Sequence, residues 1–319
     1  MTLERSIKNT LAWFDIFDHP LTKEELYRFL WEPEVPLSYT RFLPHLEDLT
    51  DNGHIFSQDG FYFLPGKNGV VDSRQRKIPL IDRKLRVARR AARKLRWLPF
   101  VRAIFVTNTV AAGTATPQSD IDVLVVVRHG RLYLTRLLVT LILSVYRLRR
   151  TRTRIANRIC LCFYLTDQSL NLAPIRLGEP DIYLAYWILE LIPLYDPDHL
   201  RAEILRANTW VRRHLPHALL PQTLLYRHSV RDSRLSRGVK KFFEISWRGG
   251  YGQFLEREAK NIQWTKMKLN KNSRQSANDP HVVTSDSMLK FHENDRRSEY
   301  KNRWQERCAT FAHSTTPSP

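Results

Sequence analysis

Two carboxylates spaced i, i+2, Asp120 and Asp122, stand at the start of the apolar run Ile121–Val127. Alternation along a strand sets both on one face, where they repel each other unless a cation lies between them. The economical partner is a divalent metal held by oxygen, so Asp120 and Asp122 are candidate metal ligands. A second apolar run, Ala103 to Val106, precedes them, and a small-residue loop with Gly113 and Pro117 joins the two. Such a loop can cradle phosphates.

The net charge of +19 implies an acidic partner: a nucleoside triphosphate, a nucleic acid or an anionic lipid surface. The hydrophobic content of 43% is ordinary for a folded protein, and 319 residues suffice for two or three small domains. The three cysteines form no C-x-x-C pair, which predicts reduced thiols and a cytoplasmic location. The first residues lack the apolar stretch of a secretory signal. Leu132 to Leu148 is interrupted by Arg136 and is shorter than the roughly 20 residues that span a bilayer, so a buried helix and no integral membrane segment are expected.

Along the chain, Ile7, Leu11, Phe14 and Phe17 recur at helical spacing, and Thr22 with Glu25 forms a capping-box pattern before a second helix. A third helical segment, Thr40 to Leu49, is followed by a hairpin over His54 to Leu64 with Asp59-Gly60 at its turn. Three helices and a hairpin predict a winged helix-turn-helix, whose third helix would meet DNA. That segment carries Glu47, Asp48 and Asp51 against Arg41 and His45, a surface better suited to packing or dimerisation.

Residues 72 to 97 predict a basic helix with Leu85, Ala88, Ala92 and Leu95 on its apolar face. Ile159 to Leu165 predicts a third strand of the central sheet, on which Cys160 and Cys162 share a face; with no histidine or further cysteine at ligand spacing, they are expected as buried sulfur. Pro180 to Leu191 and the segment opened by Asp196-Pro197, with Leu200, Ile204, Ala207 and Val211 in phase, predict two helices. Val239 to Leu269 predicts a long helix interrupted at Gly249-Gly250, with Trp247, Tyr251, Phe254, Ile262 and Met267 as its apolar contacts. Residues 272 to 287 suggest a mobile loop, and Thr310 to Pro319 a disordered end. No internal repeat, P-loop, G-x-G-x-x-G, H-E-x-x-H or G-x-S-x-G occurs.

The stretch 107 to 122 resembles the signature of the minimal nucleotidyltransferases of the DNA polymerase β-like superfamily: Gly-Ser, ten residues, then Asp-x-Asp. Asn108 and Thr109 occupy the Gly-Ser positions, residues 110 to 119 fill the gap, and Asp120-Ile121-Asp122 follows. The Gly130-Arg131-Leu-Tyr-Leu-Thr-Arg136 continuation, the N-terminal module and a basic C-terminal region with Leu289-Lys-Phe-His292 extend the likeness to bacterial nucleotidyltransferase-domain proteins over nearly the whole chain. The resemblance implies an α+β (α/β) fold: a winged helix over 1–67, a nucleotidyltransferase core with its basic helix over 68–175, a helical region over 176–270, and a loop and tail over 271–319. It further implies Asp120 and Asp122 as catalytic ligands of Mg2+ or Mn2+, and Asn108, Thr109, Gly113 and Ser119 around the phosphates of an NTP, with ATP expected first. The acceptor would be an unidentified hydroxyl, with nucleic acid or protein as candidates. Asn108 departs from the family's glycine, and the third strand lacks the family's third carboxylate, for which Asp167 is the nearest candidate. A nucleotide- or nucleic-acid-binding protein without turnover is the alternative, and attachment to an anionic membrane surface through the basic helices is the third.

Overall fold

In a computed structural model, residues 1–217, 226–268, 282–291 and 295–313 are described. The N-terminal helices α1 (Leu3–Asp15), α2 (Lys23–Arg28) and α3 (Tyr39–Asp51) gather around a small sheet of β1 (Leu21–Thr22), β2 (Phe56–Gln58) and β3 (Phe61–Phe63), ordered β1-β3-β2. The capping box forms as its residues predict: Thr22 Oγ1 accepts from the Glu25 amide at 3.3 Å, and the Glu25 carboxylate accepts from the Thr22 amide at 3.0 Å. Such a cap contributes about 1 kcal/mol. Asp59 and Gly60 both take positive φ, as the tight hairpin between β2 and β3 requires.

The basic helix α4 (Val70–Leu95) buries Leu85, Ala88, Ala92 and Leu95 on the face expected from their spacing. It packs against the main sheet, whose strands β4 (Val101–Val106), β5 (Ile121–Val127), β6 (Ile159–Thr166), β7 (Ile192–Tyr195), β8 (Val282–Thr284) and β9 (Met288–Phe291) are ordered β7-β4-β5-β6-β9-β8. Only β5 and β6 pair in parallel, and helix α6 (Leu132–Val145) makes the crossover between them. The continuous apolar character of β4 and β5 follows from burial on both faces. Ala103, Phe105, Leu124 and Val126 face a core shared with the N-terminal helices, whereas Ile104, Val106, Val123 and Val125 face α4 and α6.

Several expectations are corrected. Helix α6 is buried on one side only, with Leu141 56% and Val145 67% exposed, because α4 and the later basic helix cover just its inner stripe. Among the described residues no helix is long and apolar enough to cross a membrane. The helix read from Asp196 through Val211 is broken into α8 (Leu200–Ala207) and α9 (Thr209–His214). Asn208 breaks it by turning its amide to the Leu170 and Ile204 carbonyls and accepting from the Leu172 amide, bonds that compete with the helix. Asp196 does cap the start, accepting from the Leu200 amide at 2.7 Å.

Preceding α8, α7 (Ile182–Leu189) carries Asp181 as its N-cap. Helices α10 (Arg234–Ser246) and α11 (Gly250–Lys268) are separated near the expected glycines, but Tyr251, Phe254 and Ile262 are exposed instead of supplying contacts. The phase of α11 is set by Gly252, Glu256, Ala259 and Gln263. A Cβ on Gly252 would stand 1.7 Å from the Trp247 carbonyl oxygen. Glu256 accepts from the Tyr133 and Leu134 amides at the head of α6, and Gln263 donates to the Tyr133 carbonyl. Trp247 packs against the core as expected, and the Met267 side chain lies outside the described residues.

Of the loop read over 272–287, residues 272–281 lie outside the description, but 282–284 form β8, and Leu289 to Phe291 belong to β9 rather than to a helical region. His292 is also outside it. The β-branched pair Val282-Val283 suits an edge strand, and the Ser285 hydroxyl organises the turn by accepting from the Met288 amide at 2.9 Å. Residues 310–313 are helical, ending α12 (Arg297–His313), while 314–319 lie outside the description. Helix α12 packs along α1, and Trp304 Nε1 donates to the Asn9 carbonyl at 2.9 Å.

One polar residue in α4 ties the helix to the loop before Asp120. Lys84 is fully buried, and its ammonium donates to the Ser119 carbonyl at 2.6 Å, Asn157 Oδ1 at 3.0 Å and the Pro117 carbonyl at 3.4 Å. Removing the donor leaves the partly exposed Ser119 and Asn157 acceptors to solvent and breaks the tie to the loop, so Lys84→Met is expected to lower stability by roughly 1–2 kcal/mol in urea unfolding. A loss below about 0.5 kcal/mol would contradict this tether.

Candidate functional site

Asp120 and Asp122 meet the end of β4 because β4 and β5 pair antiparallel, with Val106 opposite Val123 and the Thr107 amide on the Asp122 carbonyl at 3.0 Å. The four-residue helix α5 (Asn108–Ala111) starts there. Asn108 takes φ 54°, a left-handed conformation that asparagine tolerates and most residues do not. Its side chain spans two elements: Nδ2 donates to Asp122 Oδ2 at 2.9 Å, and Oδ1 accepts from Trp187 Nε1 of α7 at 2.7 Å. The residue that departs from the family's glycine therefore fixes the second aspartate.

The other loop residues take separate places. Thr109 is exposed, and its carbonyl accepts from the Thr114 amide at 2.8 Å. Gly113 has φ 73° and lies against His19, where a Cβ would come within 2.9 Å of the ring, so packing on the N-terminal module explains this glycine. The Ser119 hydroxyl accepts from the Thr116 amide at 3.0 Å and closes the loop on itself. Thus Asn108, Thr109 and Asp122 border one cavity, whereas Gly113 and the Ser119 side chain are committed to loop structure.

Asp167 is the clear correction. Because β5 and β6 run parallel, with Ile121 beside Ile159 and Val127 beside Thr166, Asp167 falls at the opposite end from Asp122. That is roughly 20 Å along the sheet at the usual strand rise. There its carboxylate accepts from the His129 amide at 2.9 Å and lies 3.8 Å from Arg102.

Beside Asp122, where that parallel pairing delivers the first residues of β6, stand two sulfurs. Cys160 is its register partner, Cys162 lies two residues on along the same face, and the register shift follows before Phe163. Cys162 Sγ lies 3.4 Å from Asp122 Oδ1, and one ligand atom from each of Asp122, Cys160 and Cys162 lies within 4.8 Å of the others. Arg150, from the turn after α6, reaches Asp120 at 2.8 Å and Cys160 Sγ at 3.6 Å. Burial, followed by the charge of Asp122, raises the Asp120 pKa against the opposing pull of Arg150. Contact with Cys160, then burial, pushes the Cys162 thiol well up. The cysteine pair was visible in the chain, but its proximity to Asp122 depends on strand pairing that no local pattern encodes; Arg150 was legible only as one residue of the basic turn 149–154, and Trp187 only as one of an apolar helix.

The cavity bordered by Asn108, Thr109 and Asp122 measures ≈ 210 Å³ and is walled by Tyr183, Trp187, Tyr300, Lys290 and Arg297. Tyr183 and Tyr300 stack with their rings 5.7 Å apart. The two cations are structural: Lys290 pairs with Asp295 at 2.9 Å, and Arg297 bridges Asp295 and Asp181 at 2.8 and 2.9 Å. A neighbouring cavity of ≈ 80 Å³ shares Asn108, Thr109 and the same aromatics and is lined by Trp13, Phe17 and Glu190.

Comparison with protein-family models, curated proteins and solved structures gives no match.

Glu190 sets a pH dependence. Burial among aromatic rings, and secondly the charge of Glu25, raise its pKa from 4.5 to about 8. The folded protein therefore keeps a proton that the unfolded chain releases near 4.5, so stability falls as pH rises through this window and levels off above about 8. Between about pH 5 and about pH 8 the wild type is expected to lose roughly 2–4 kcal/mol more than Glu190→Gln. Urea midpoints at both pH values check this, and parallel profiles would refute it.

Proposed function

We propose that this protein is a divalent-metal-dependent nucleotidyltransferase that moves a nucleoside monophosphate from an NTP to a hydroxyl acceptor. The observation that carries the reading is the placement of Asp120 and Asp122 side by side at the head of β5, with Asp122 opening on the cavity bordered by Asn108 and Thr109. Burial and mutual repulsion make this pair a fit for Mg2+ or Mn2+, since a bound cation offsets both costs. When bound, such an ion neutralises triphosphate charge and polarises the α-phosphate.

The chain's own groups account for the rest. Asn108, gripped by Trp187, holds one oxygen of Asp122 in place, and the exposed Thr109 hydroxyl is available to phosphate oxygens. Arg150 is 44% exposed and adds positive charge beside Asp120. The tyrosine pair and Trp187 offer flat surfaces for a base, which stacks without needing sequence-specific contacts. Because the site draws mainly on positioning and charge, these groups are the ones that matter to transfer.

The alternative, nucleotide binding without turnover, is favoured by one feature: among the described residues no third carboxylate stands beside the pair, and thiols occupy the neighbouring positions on β6. The N-terminal module we read as a winged helix used for packing. Its third helix exposes Glu47, Asp48 and Asp51, while its first helix is buried against α12.

Calorimetric titration with each NTP, with and without Mg2+, tests the proposal. Wild type is expected to bind one or more NTPs in a metal-dependent manner, with affinity weakened at least about tenfold in Asp120→Ala and Asp122→Ala, a difference of about 1.4 kcal/mol. Transfer of label from an α-labelled NTP into an acceptor pool separates the two readings: binding without label transfer leaves the alternative, and no binding by any NTP overturns both.

A further inference from the structure

We propose that Asp122, Cys160 and Cys162 form a three-ligand site for a thiophilic divalent cation of the zinc class. The inference concerns the same strand ends as the nucleotide reading but stands on ligand geometry alone. Taken by themselves, two cysteines in one strand are weak ligands, because nothing at zinc-site spacing accompanies them in the chain. Parallel pairing of β5 with β6 supplies the missing donor, Asp122, from the neighbouring strand, beside the face that Cys160 and Cys162 share.

The spacing fits a metal. Around a tetrahedral zinc with sulfur at about 2.3 Å and oxygen at about 2.0 Å, sulfur and oxygen ligands stand about 3.5 Å apart. Cys162 Sγ and Asp122 Oδ1 are 3.4 Å apart, and all three ligand atoms fit within 4.8 Å. Asp122 keeps its other oxygen on Asn108, which is itself held by Trp187, so the ligand is oriented by an outer partner as metal-binding carboxylates require. A cation is already drawn to this place: the Arg150 guanidinium lies between Asp120 and Cys160. Its side chain is 44% exposed on a turn and can yield the position to an ion. Sulfur selects zinc, cobalt and cadmium over magnesium, so the ion preferred here differs from one held by carboxylates alone.

The full-length protein, freed of metal and titrated with Co2+, tests this directly. Wild type and Cys308→Ser are expected to develop a thiolate-to-cobalt charge-transfer band in the near ultraviolet that Zn2+ abolishes and millimolar Mg2+ does not. Cys160→Ser and Cys162→Ser should lose most of the band and bind Co2+ at least about tenfold more weakly. Because Cys162→Ser alters a buried position, cadmium NMR of the unmodified protein provides a second measure: a shift in the sulfur-ligand range supports the site. An oxygen-only shift, or a cobalt spectrum without the thiolate band, overturns it. Should NTPs bind with Mg2+ while no thiolate signature forms, this inference fails and the nucleotide reading stands. A thiolate signature without NTP binding supports the site and removes that reading.

Discussion

Parallel pairing of β5 with β6 is the contact on which the rest of the structure depends. It requires a crossover, which α6 provides, and it places the first residues of both strands side by side at one end of the sheet. With the sheet covered on both faces, polar side chains have few places to go except its ends. Asp120, Asp122, Cys160 and Cys162 collect at one end, whereas Asp167 and Arg102 meet at the other. A one-residue slip in this register would turn Asp122 into the opposite core, so the site and the sheet are specified together.

Charge is distributed unevenly around that frame. The excess of cations lies largely on helices whose arginines and lysines face solvent, yet the ions closest to the aspartates are few and individually employed. Lys84 is spent on the carbonyls of the Pro117–Ser119 turn, and Lys290 and Arg297 are paired with Asp295 and Asp181. Among the cations of the described residues, Arg150 is the one paired with Asp120. The global charge is thus a property of the outer helices, while the groups that touch the aspartates are one arginine, one asparagine and two thiols.

Periodic features were legible in the chain because they arise from local spacing: the capping box at Thr22, the apolar stripe of α4, the paired strands flanking the loop and the break between α10 and α11. What failed shares a physical cause. Asn208 splits a well-phased helix because its amide finds better partners outside that helix. The phase of α11 follows Gly252 and Gln263, chosen by close approach to Trp247 and Tyr133, rather than its larger apolar residues. Residues 282–291 and 297–313 look polar and loose, yet they form an edge hairpin and a helix because the sheet and α1 receive them. At the site, Asp120 and Asp122 were evident from spacing, but the cysteines beside them belong to a strand that folds in only after the crossover.

The distant ends of the chain meet at the cavity next to Asp122. Trp13 of α1 and Phe17 just beyond that helix line the smaller neighbouring cavity, Tyr300 of α12 borders both, and Trp187 of α7 reaches Asn108. Trp13 stacks on Tyr186, and Trp304 ties α12 back to Asn9, so aromatic packing among these three helices sets where the cavity wall stands. The N-terminal module is thereby part of the site's enclosure. Its acidic third helix makes a poor surface for phosphates, whereas its first helix bounds the space next to the cavity at Asp122.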